Sequence, residues 1–404
     1  MKRATLYKIV LSLTGALCLS LNTSAQEKPA NQVLKFSFEA DVQKWQAVGT
    51  ALSAATIAHT TDPANIHTGK GTLQYDYKIS PDEKSGAIVP LRITALAKMK
   101  MLRLWVKPDH NTSIVIVLQE RGGGRYATFG YVKGGQWNEV ALAQEDFILS
   151  TGVDDPKDPD GKLDLEQVES LAIADYSQWL IYGAMSIEKL EKLKKTQPEK
   201  VFEQTYASFL LQKKIYPYRQ GQHTLYIDDI EALTDAMPEL TPKKGSDTIL
   251  DSFERPQPSW IPLGSVKALG IESSKPLIGK SLKIEYQVTP DMFGAVTKNL
   301  TGSFFTKDDK IGLTVASVKP IRLLIQVEDK NGGRYNTTFN LTGDMEAREL
   351  TIAWKELTIA PDSKTKLSLD PTKIVRVFFM DITGALDMVT QENTLWINSL
   401  RAIH

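Results

Sequence analysis

Cysteine is nearly missing from this chain of 404 residues: Cys18 is the only one. Beyond that position the chain has no disulfide framework, no thiol nucleophile and no cysteine metal site. Histidine is scarce too, with His59, His67, His110, His223 and His404 spread along the chain. No two of them stand at a metal-binding spacing such as His-x-x-x-His. No Gly-x-Ser-x-Gly elbow occurs. Gly122-Gly123-Gly124 is not a phosphate loop, because neither a helix nor Lys-Ser/Thr follows it. An excess of charge is also absent, with 48 basic and 48 acidic residues. That balance argues against a nucleic-acid partner, which calls for a basic patch.

Long apolar runs are missing as well, apart from Ile9 to Leu21, which is too short for the roughly 20 residues of a membrane-spanning helix. Met1-Lys2-Arg3 and Lys8 supply positive charge at its start, and Thr23-Ser24-Ala25 is a small-residue cleavage site. This is the layout of a secretory signal peptide over residues 1–25, so export to the periplasm, cell surface or medium is expected. Cys18 keeps a lipid anchor open as the alternative to cleavage after Ala25, although Leu17 is large for the position before a lipidated cysteine. Without Lys2, Arg3 and Lys8 the count is 45 basic against 48 acidic residues.

What the chain has is a repeat. Phe38-Glu39 with Trp45 returns as Phe253-Glu254 with Trp260, at an offset of 215. Gly123-Gly124-Arg125-Tyr126 returns as Gly332-Gly333-Arg334-Tyr335, at 209, and Leu225-Tyr226-Ile227-Asp228 returns as Leu395-Trp396-Ile397-Asn398, at 170. Three islands in one order mean a duplicated domain, and the period is far too long for a solenoid. The expected organisation is a leader at 26–32, a first copy at 33–235, a linker at 236–247 and a second copy at 248–404.

Within each copy the pattern is one of short strands. Leu73–Tyr77 and Leu282–Tyr286 alternate, while Leu102–Val106, Ile114–Leu118 and Ile321–Val327 are β-rich. The glycine clusters between strands predict hairpin turns with positive φ. The fold class is therefore all-β, two tandem sandwiches. The first copy carries an excess of 39 residues, mainly Ala184 to Gln220. Ser186–Lys195 and Glu199–Lys214 have helical spacing there, with Leu190 and Leu193 on one stripe and Phe202, Tyr206, Phe209 and Leu210 on the other. This predicts a helical hairpin inserted at about 184–220, packing on the sandwich or serving as an arm for an envelope or enzyme partner.

The order of these islands resembles the galactose-binding-like jelly rolls of carbohydrate-binding modules, such as family 11 and its relatives. The matching residues are Phe38-Glu39, Trp45, Gly69-Lys70, Gly123-Gly124, Trp137-Asn138-Glu139-Val140 leading to Phe147, and Tyr226-Ile227-Asp228-Asp229-Ile230. The second copy departs at Ala347 (for Trp137) and at Asn398-Ser399 (for Asp228-Asp229). The resemblance implies a structural calcium ion (Ca2+) between the first and last strands. Glu39, Asp228 and Asp229 would be its carboxylates, the turn at Lys70 would add a carbonyl oxygen, and Glu254 would serve the second copy. Calcium takes six to eight oxygens, which such a set could begin to supply. Asp154 to Asp164 does not fit the twelve-residue calcium loop and reads as a solvated turn.

The resemblance further implies a polysaccharide or oligosaccharide ligand. Sugar needs flat aromatics and polar groups in pairs. Alternation along the strand after the glycine turn puts Arg125, Phe129 and Tyr131 on one face and Tyr126 and Thr128 on the other. Trp105, Gln119 and Arg121 lie on neighbouring strands, and Arg334 and Tyr335 are the counterparts in the second copy. Trp45 and Trp260 are assigned to the cores. The expectation is a non-catalytic glycan-binding protein whose two modules gain avidity on a polymer. The alternatives are an envelope interaction module, or a jelly-roll polysaccharide lyase or hydrolase using Arg125, Tyr126 and a histidine.

Overall fold

The computed structural model describes residues 31–50, 53–150, 158–183, 187–199, 201–203, 206, 210, 220–235, 247–300 and 305–404. The expected signal segment, with Cys18, and all but the last residue of the expected linker lie outside them.

Alternating apolar residues give strands with one face to bury, and each copy buries those faces between two antiparallel sheets. The first sheet of copy one runs β3 (Thr56–Thr60), β4 (Thr72–Ile79), β12 (Gly221–Leu233), β6 (Met101–Pro108) and β9 (Asn138–Ala143), with β1 (Gln32–Phe36) also paired to β12. Its second sheet runs β10 (Ile148–Leu149), β8 (Arg125–Val132), β7 (Thr112–Glu120), β11 (Val168–Asp175), β5 (Ser85–Pro90) and β2 (Gln46–Gly49). Copy two repeats this plan. Its first sheet is β15 (Val266–Glu272), β16 (Ser281–Val288), β24 (Gln391–Ile403), β18 (Lys310–Ser317) and β21 (Arg348–Ala353), with β13 (Asp247–Asp251) on β24. Its second is β14 (Ile261–Gly264), β17 (Gly294–Asn299), β23 (Ile374–Asp381), β19 (Ile321–Asp329), β20 (Arg334–Leu341) and β22 (Thr358–Ile359). Adding twelve to every strand number of copy one gives the order in copy two. The all-β tandem sandwich expected from the sequence is the observed fold.

Each core is built from the inward-pointing residues of both sheets. Leu73, Tyr75, Leu102, Leu104, Ile116 and Ile227 are fully buried in the first, as are Leu282, Leu313, Ile325, Val327 and Ile397 in the second. Such burial contributes about 1.5–3 kcal/mol per large apolar side chain. Trp45 and Trp260 are 3% and 0% exposed, so both are core residues, as the sequence suggests. Gly122 and Gly332 turn the matching hairpins with φ of 68° and 77°. A matching buried bond links the two sheets in both copies. The Tyr77 hydroxyl donates to Asp175 Oδ2 at 2.7 Å, and the Tyr286 hydroxyl donates to Asp381 Oδ2 at 2.8 Å.

The expected insertion includes a helix at Ile187–Thr196. Leu190 is buried, and Lys189 pairs with Asp82 of the sandwich at 3.0 Å. Phe202 and Tyr206 stack with ring centroids 5.9 Å apart. Leu210 is exposed, and Phe209 lies outside the described residues.

The two sandwiches are pinned to one another. Gln257, only 4% exposed, accepts the Ala141 N–H at 3.1 Å and donates to the Ala141 carbonyl at 3.0 Å. Arg255 reaches Asp146 at 3.0 Å. Phe129, Tyr176 and Leu180 of copy one pack with Ile261, Leu263, Ala295, Phe378 and Met380 of copy two.

Candidate functional site

Strand alternation sends Leu225 and Ile227 of β12 into the core and leaves Thr224 and Tyr226 on the outer face of the first sheet. Register then decides their neighbours. Tyr226 stands opposite Gln74 on β4 and Lys107 on β6, and Thr224 stands opposite Asp76. Asp76 accepts from the Thr224 hydroxyl at 2.6 Å and from the Gln74 amide at 2.8 Å. Lys107 Nζ lies 5.9 Å from the centre of the Tyr226 ring and also donates to the Ala64 carbonyl at 2.7 Å. All five side chains are partly exposed. Burial raises the Tyr226 hydroxyl above its usual value, with Asp76, Asp62 and Asp109 adding to the effect, so it stays a donor at neutral pH. An aromatic ring framed by an amide, a carboxylate, a hydroxyl and an ammonium can stack on a ring and hydrogen-bond its edge.

The residues singled out in the sequence are not gathered here. Trp105 is on the same face, beside Asp228 and Glu139, but its ring is covered by His67, stacked at 3.9 Å. Gln119 and Arg125 bond each other at 2.8 Å at the end of the other sheet, and Gln119 also ties down the Gly123 carbonyl at 3.2 Å. Arg121 is exposed beside that turn. Phe129 and Tyr131 do point outward, as alternation requires. They are nevertheless unavailable as a sugar platform, because copy two covers them. Phe129 packs against its apolar residues, and Tyr131 is 4% exposed within its core cluster, with its N–H bonded to the Pro258 carbonyl at 2.8 Å. Arg334 is held by Asp362 at 2.5 Å and Glu328 at 3.4 Å. Tyr335 is a core residue, 1% exposed, because its strand sends it inward, where its hydroxyl bonds the Leu367 carbonyl at 3.0 Å. Asp158 of the expected solvated turn accepts from the Tyr126 hydroxyl, which is a core lock in turn.

Of the carboxylates assigned to calcium in copy one, Asp228 and Asp229 meet, and Glu39 is not in their cluster. Asp228, Asp229 and the His67 ring offer one ligand atom each within 4.8 Å. What faces them is a set of donors. Asp228 accepts main-chain N–H bonds from His67 at 3.2 Å, Thr68 at 3.3 Å and Asp229 at 2.9 Å. Asp229 has the Lys35 ammonium at 3.2 Å and the Thr68 hydroxyl at 2.5 Å. Glu39 accepts the Lys70 N–H at 2.8 Å. In copy two, Glu254 pairs with the Lys280 ammonium at 2.8 Å, and the Asn398 amide donates to the Ile278 carbonyl at 2.7 Å. Calcium needs six to eight oxygens. Two carboxylates and an imidazole, answered by N–H, O–H and ammonium groups, do not fit that cage. Burial, with Asp229 alongside, pushes the Asp228 carboxyl up to about 6 against the pull of its N–H donors. Asp229 is held below the usual range because Thr68, His67 and Lys35 outweigh its burial.

No family model matches the chain, and no curated protein matches it. Among solved structures it is similar to a family 11 carbohydrate-binding module of a cellulosomal cellulase of Clostridium thermocellum. That match has 18% identity and a TM-score of 0.32, covering 40% of this chain and 96% of the module. It is also similar to a tandem pair of family 22 modules from Paenibacillus barcinonensis, at 13% identity and a TM-score of 0.29, covering 94% of this chain and 99% of the pair. At these scores the reading of function rests on this chain's own residues.

Proposed function

We propose that the chain is an exported, non-catalytic carbohydrate-binding protein that holds a polysaccharide on the outer face of the first sheet of copy one. The observation that carries this is Tyr226, partly exposed, with Gln74 and Lys107 on its own cross-strand row and Asp76 and Thr224 on the next. A pyranose ring has an apolar C–H face for the tyrosine and hydroxyls that suit the Asp76 carboxylate, the Gln74 amide and the Lys107 ammonium. Copy two holds Trp396 at the same place, but that ring is 6% exposed and packed on Leu277 and Ala316. Copy one therefore carries the site. The signal sequence, read from residues 1–25, supports export.

The test is affinity electrophoresis of the mature protein against soluble plant, algal and bacterial polysaccharides. Retardation by one polysaccharide class, abolished in Tyr226→Ala with an unchanged circular dichroism spectrum, is the expected result. Wild-type protein that migrates freely through every gel, or a Tyr226→Ala variant retarded as strongly as wild type, would overturn the reading.

The insertion supports a second reading, that of an arm for an envelope protein. Val201, Tyr206 and Leu210 are 44%, 45% and 42% exposed on it. Replacing residues 184–220 by a short Gly-Ser loop is expected to leave glycan retardation intact and to abolish sedimentation with envelope fractions. Unchanged sedimentation would remove this role.

A further inference from the structure

The folded chain brings together two histidines that its sequence keeps 113 positions apart. His110 follows β6 and His223 lies on β12, and their ring centroids are 4.2 Å apart. Asp109 sits between them. Its Oδ1 is 2.6 Å from His110 Nδ1, and its Oδ2 is 3.1 Å from His223 Nδ1. One ligand atom from each of the three residues falls within 4.8 Å of the others. Tetrahedral ligands at zinc, bonded at about 2.0–2.1 Å, stand about 3.3 Å from one another. The Asp109–His223 separation already approaches that value, and the shorter Asp109–His110 contact is a direct hydrogen bond that the ion would open by under an ångström.

The surroundings are those of a supported metal ligand. A metal-bound histidine usually turns its other ring nitrogen to a carboxylate, which fixes ring and tautomer. His110 Nε2 lies 3.3 Å from Asp175 Oδ2. Asp175 is fully buried and is itself fixed by the Tyr77 hydroxyl at 2.7 Å, the Thr112 hydroxyl at 2.8 Å and the Ser177 N–H at 2.7 Å. Both histidine side chains are 8% exposed while Asp109 is 41% exposed, which leaves the site open to solvent from the carboxylate side.

Copy two shows that the fold does not require this trio. Tyr286 and Asp381 keep the places of Tyr77 and Asp175, and the Val318 N–H bonds the Thr394 carbonyl as Asp109 bonds Thr224. Val318, Lys319 and Asn393 stand where copy one has Asp109, His110 and His223, at the repeat's own offsets of 209 and 170. Two imidazoles and a carboxylate suit a borderline transition ion and not calcium or magnesium.

We propose that Asp109, His110 and His223 form a binding site for a zinc-class divalent ion, with Asp175 orienting His110. The proposal stands without the glycan reading, although Asp109 neighbours that face through its bond to the Thr224 carbonyl.

The experiment is calorimetric titration of chelator-treated, untagged mature protein with zinc chloride, with calcium chloride in parallel, and thermal melts under the same conditions. One saturable equivalent of zinc, a higher Tm with zinc and no effect of calcium are expected. His223→Asn, which installs the residue of copy two, should weaken zinc binding by about tenfold to a hundredfold. Asp109→Asn, on the exposed ligand, should do the same and guards against a folding defect in the first variant. His404→Gln should bind as wild type does. Folded wild-type protein without saturable zinc binding would show that the trio is an ion-pair network only. Full zinc affinity in both ligand variants would equally overturn the proposal.

Discussion

The two copies share every strand and differ in what their outward-facing residues do. Inward, the correspondence is close: Tyr77 with Asp175 answers to Tyr286 with Asp381, and Trp45 to Trp260. Outward, copy one presents Tyr226 and Asp228 on its closing strand where copy two presents Trp396 and Asn398, and on the inward side of the same strand only the end position differs in kind, His223 against Asn393. On the other sheet, Phe129 of copy one corresponds to Thr338 of copy two, and only the phenylalanine is part of the apolar seam between the sandwiches. A residue pointing into a closed core must keep its volume and its bond, or leave a cavity or an orphaned polar group. A residue pointing out is free to become a ligand, a seam or a cap. The duplication therefore kept one scaffold and assigned its two outer surfaces differently.

The strongest way to break this comparison is at the shared lock. Asp175→Ala leaves the Tyr77 hydroxyl, Thr112 and His110 without their partner, and should cost about 3–5 kcal/mol in urea unfolding. Asp381→Ala removes a bond to Tyr286 without a histidine behind it and should cost about 1–3 kcal/mol. Equal losses would show that the histidine of copy one adds nothing. Gln257→Ala, which empties the buried bridge to Ala141, should cost about 1–3 kcal/mol and separate the melting of the two sandwiches in calorimetry. A single unchanged transition would deny that this bridge couples them.

Smaller effects sharpen the contrast between the outer faces. Tyr226→Ala should weaken glycan binding by tenfold or more, about 1.4 kcal/mol, whereas Trp396→Ala should leave it within about twofold. The reverse pattern would move the site to copy two. Asp228 should titrate near pH 6, read from its carboxyl carbon shift, while Asn398 gives copy two no such signal. The sign follows from the direction of the shift. The folded protein holds this proton more tightly than the unfolded chain, so the group favours folding below about pH 4. That contribution is lost as pH rises through about 6. A midpoint at an ordinary carboxylate pH would contradict the burial seen here. Smallest of all, chelation should leave the calcium-linked Tm unchanged, because Lys35 and the main-chain donors already answer Asp228 and Asp229. A drop of several degrees that calcium alone restores would reverse that reading.

The fold was largely legible because inward residues leave a period of two and because the repeat shows the same strand plan twice. Leu102–Val106 and Leu282–Tyr286 each fall inside an observed strand. Alternation also put Tyr126 on one face and Phe129 and Tyr131 on the other. It could not say that a second sandwich would cover that face, since the seam joins Tyr131 to Pro258, residues with no shared pattern. Tyr226 escaped notice because it sits within a family-like closing strand and only register sets Gln74 and Lys107 beside it. The histidine trio left no spacing signal because its ligands come from a strand end and from a strand over a hundred residues later.

By itself, then, the sequence determined the duplication, the strand plan and the core tryptophans Trp45 and Trp260, because those depend on the repeat and on local periodicity. Only the tertiary structure decided which outer face would be open, which carboxylates would meet ammonium and N–H donors instead of a cation, and which histidines would become neighbours. Those outcomes depend on register and on the docking of one copy against the other. Both bring together residues that are far apart in the chain, where no periodic pattern connects them.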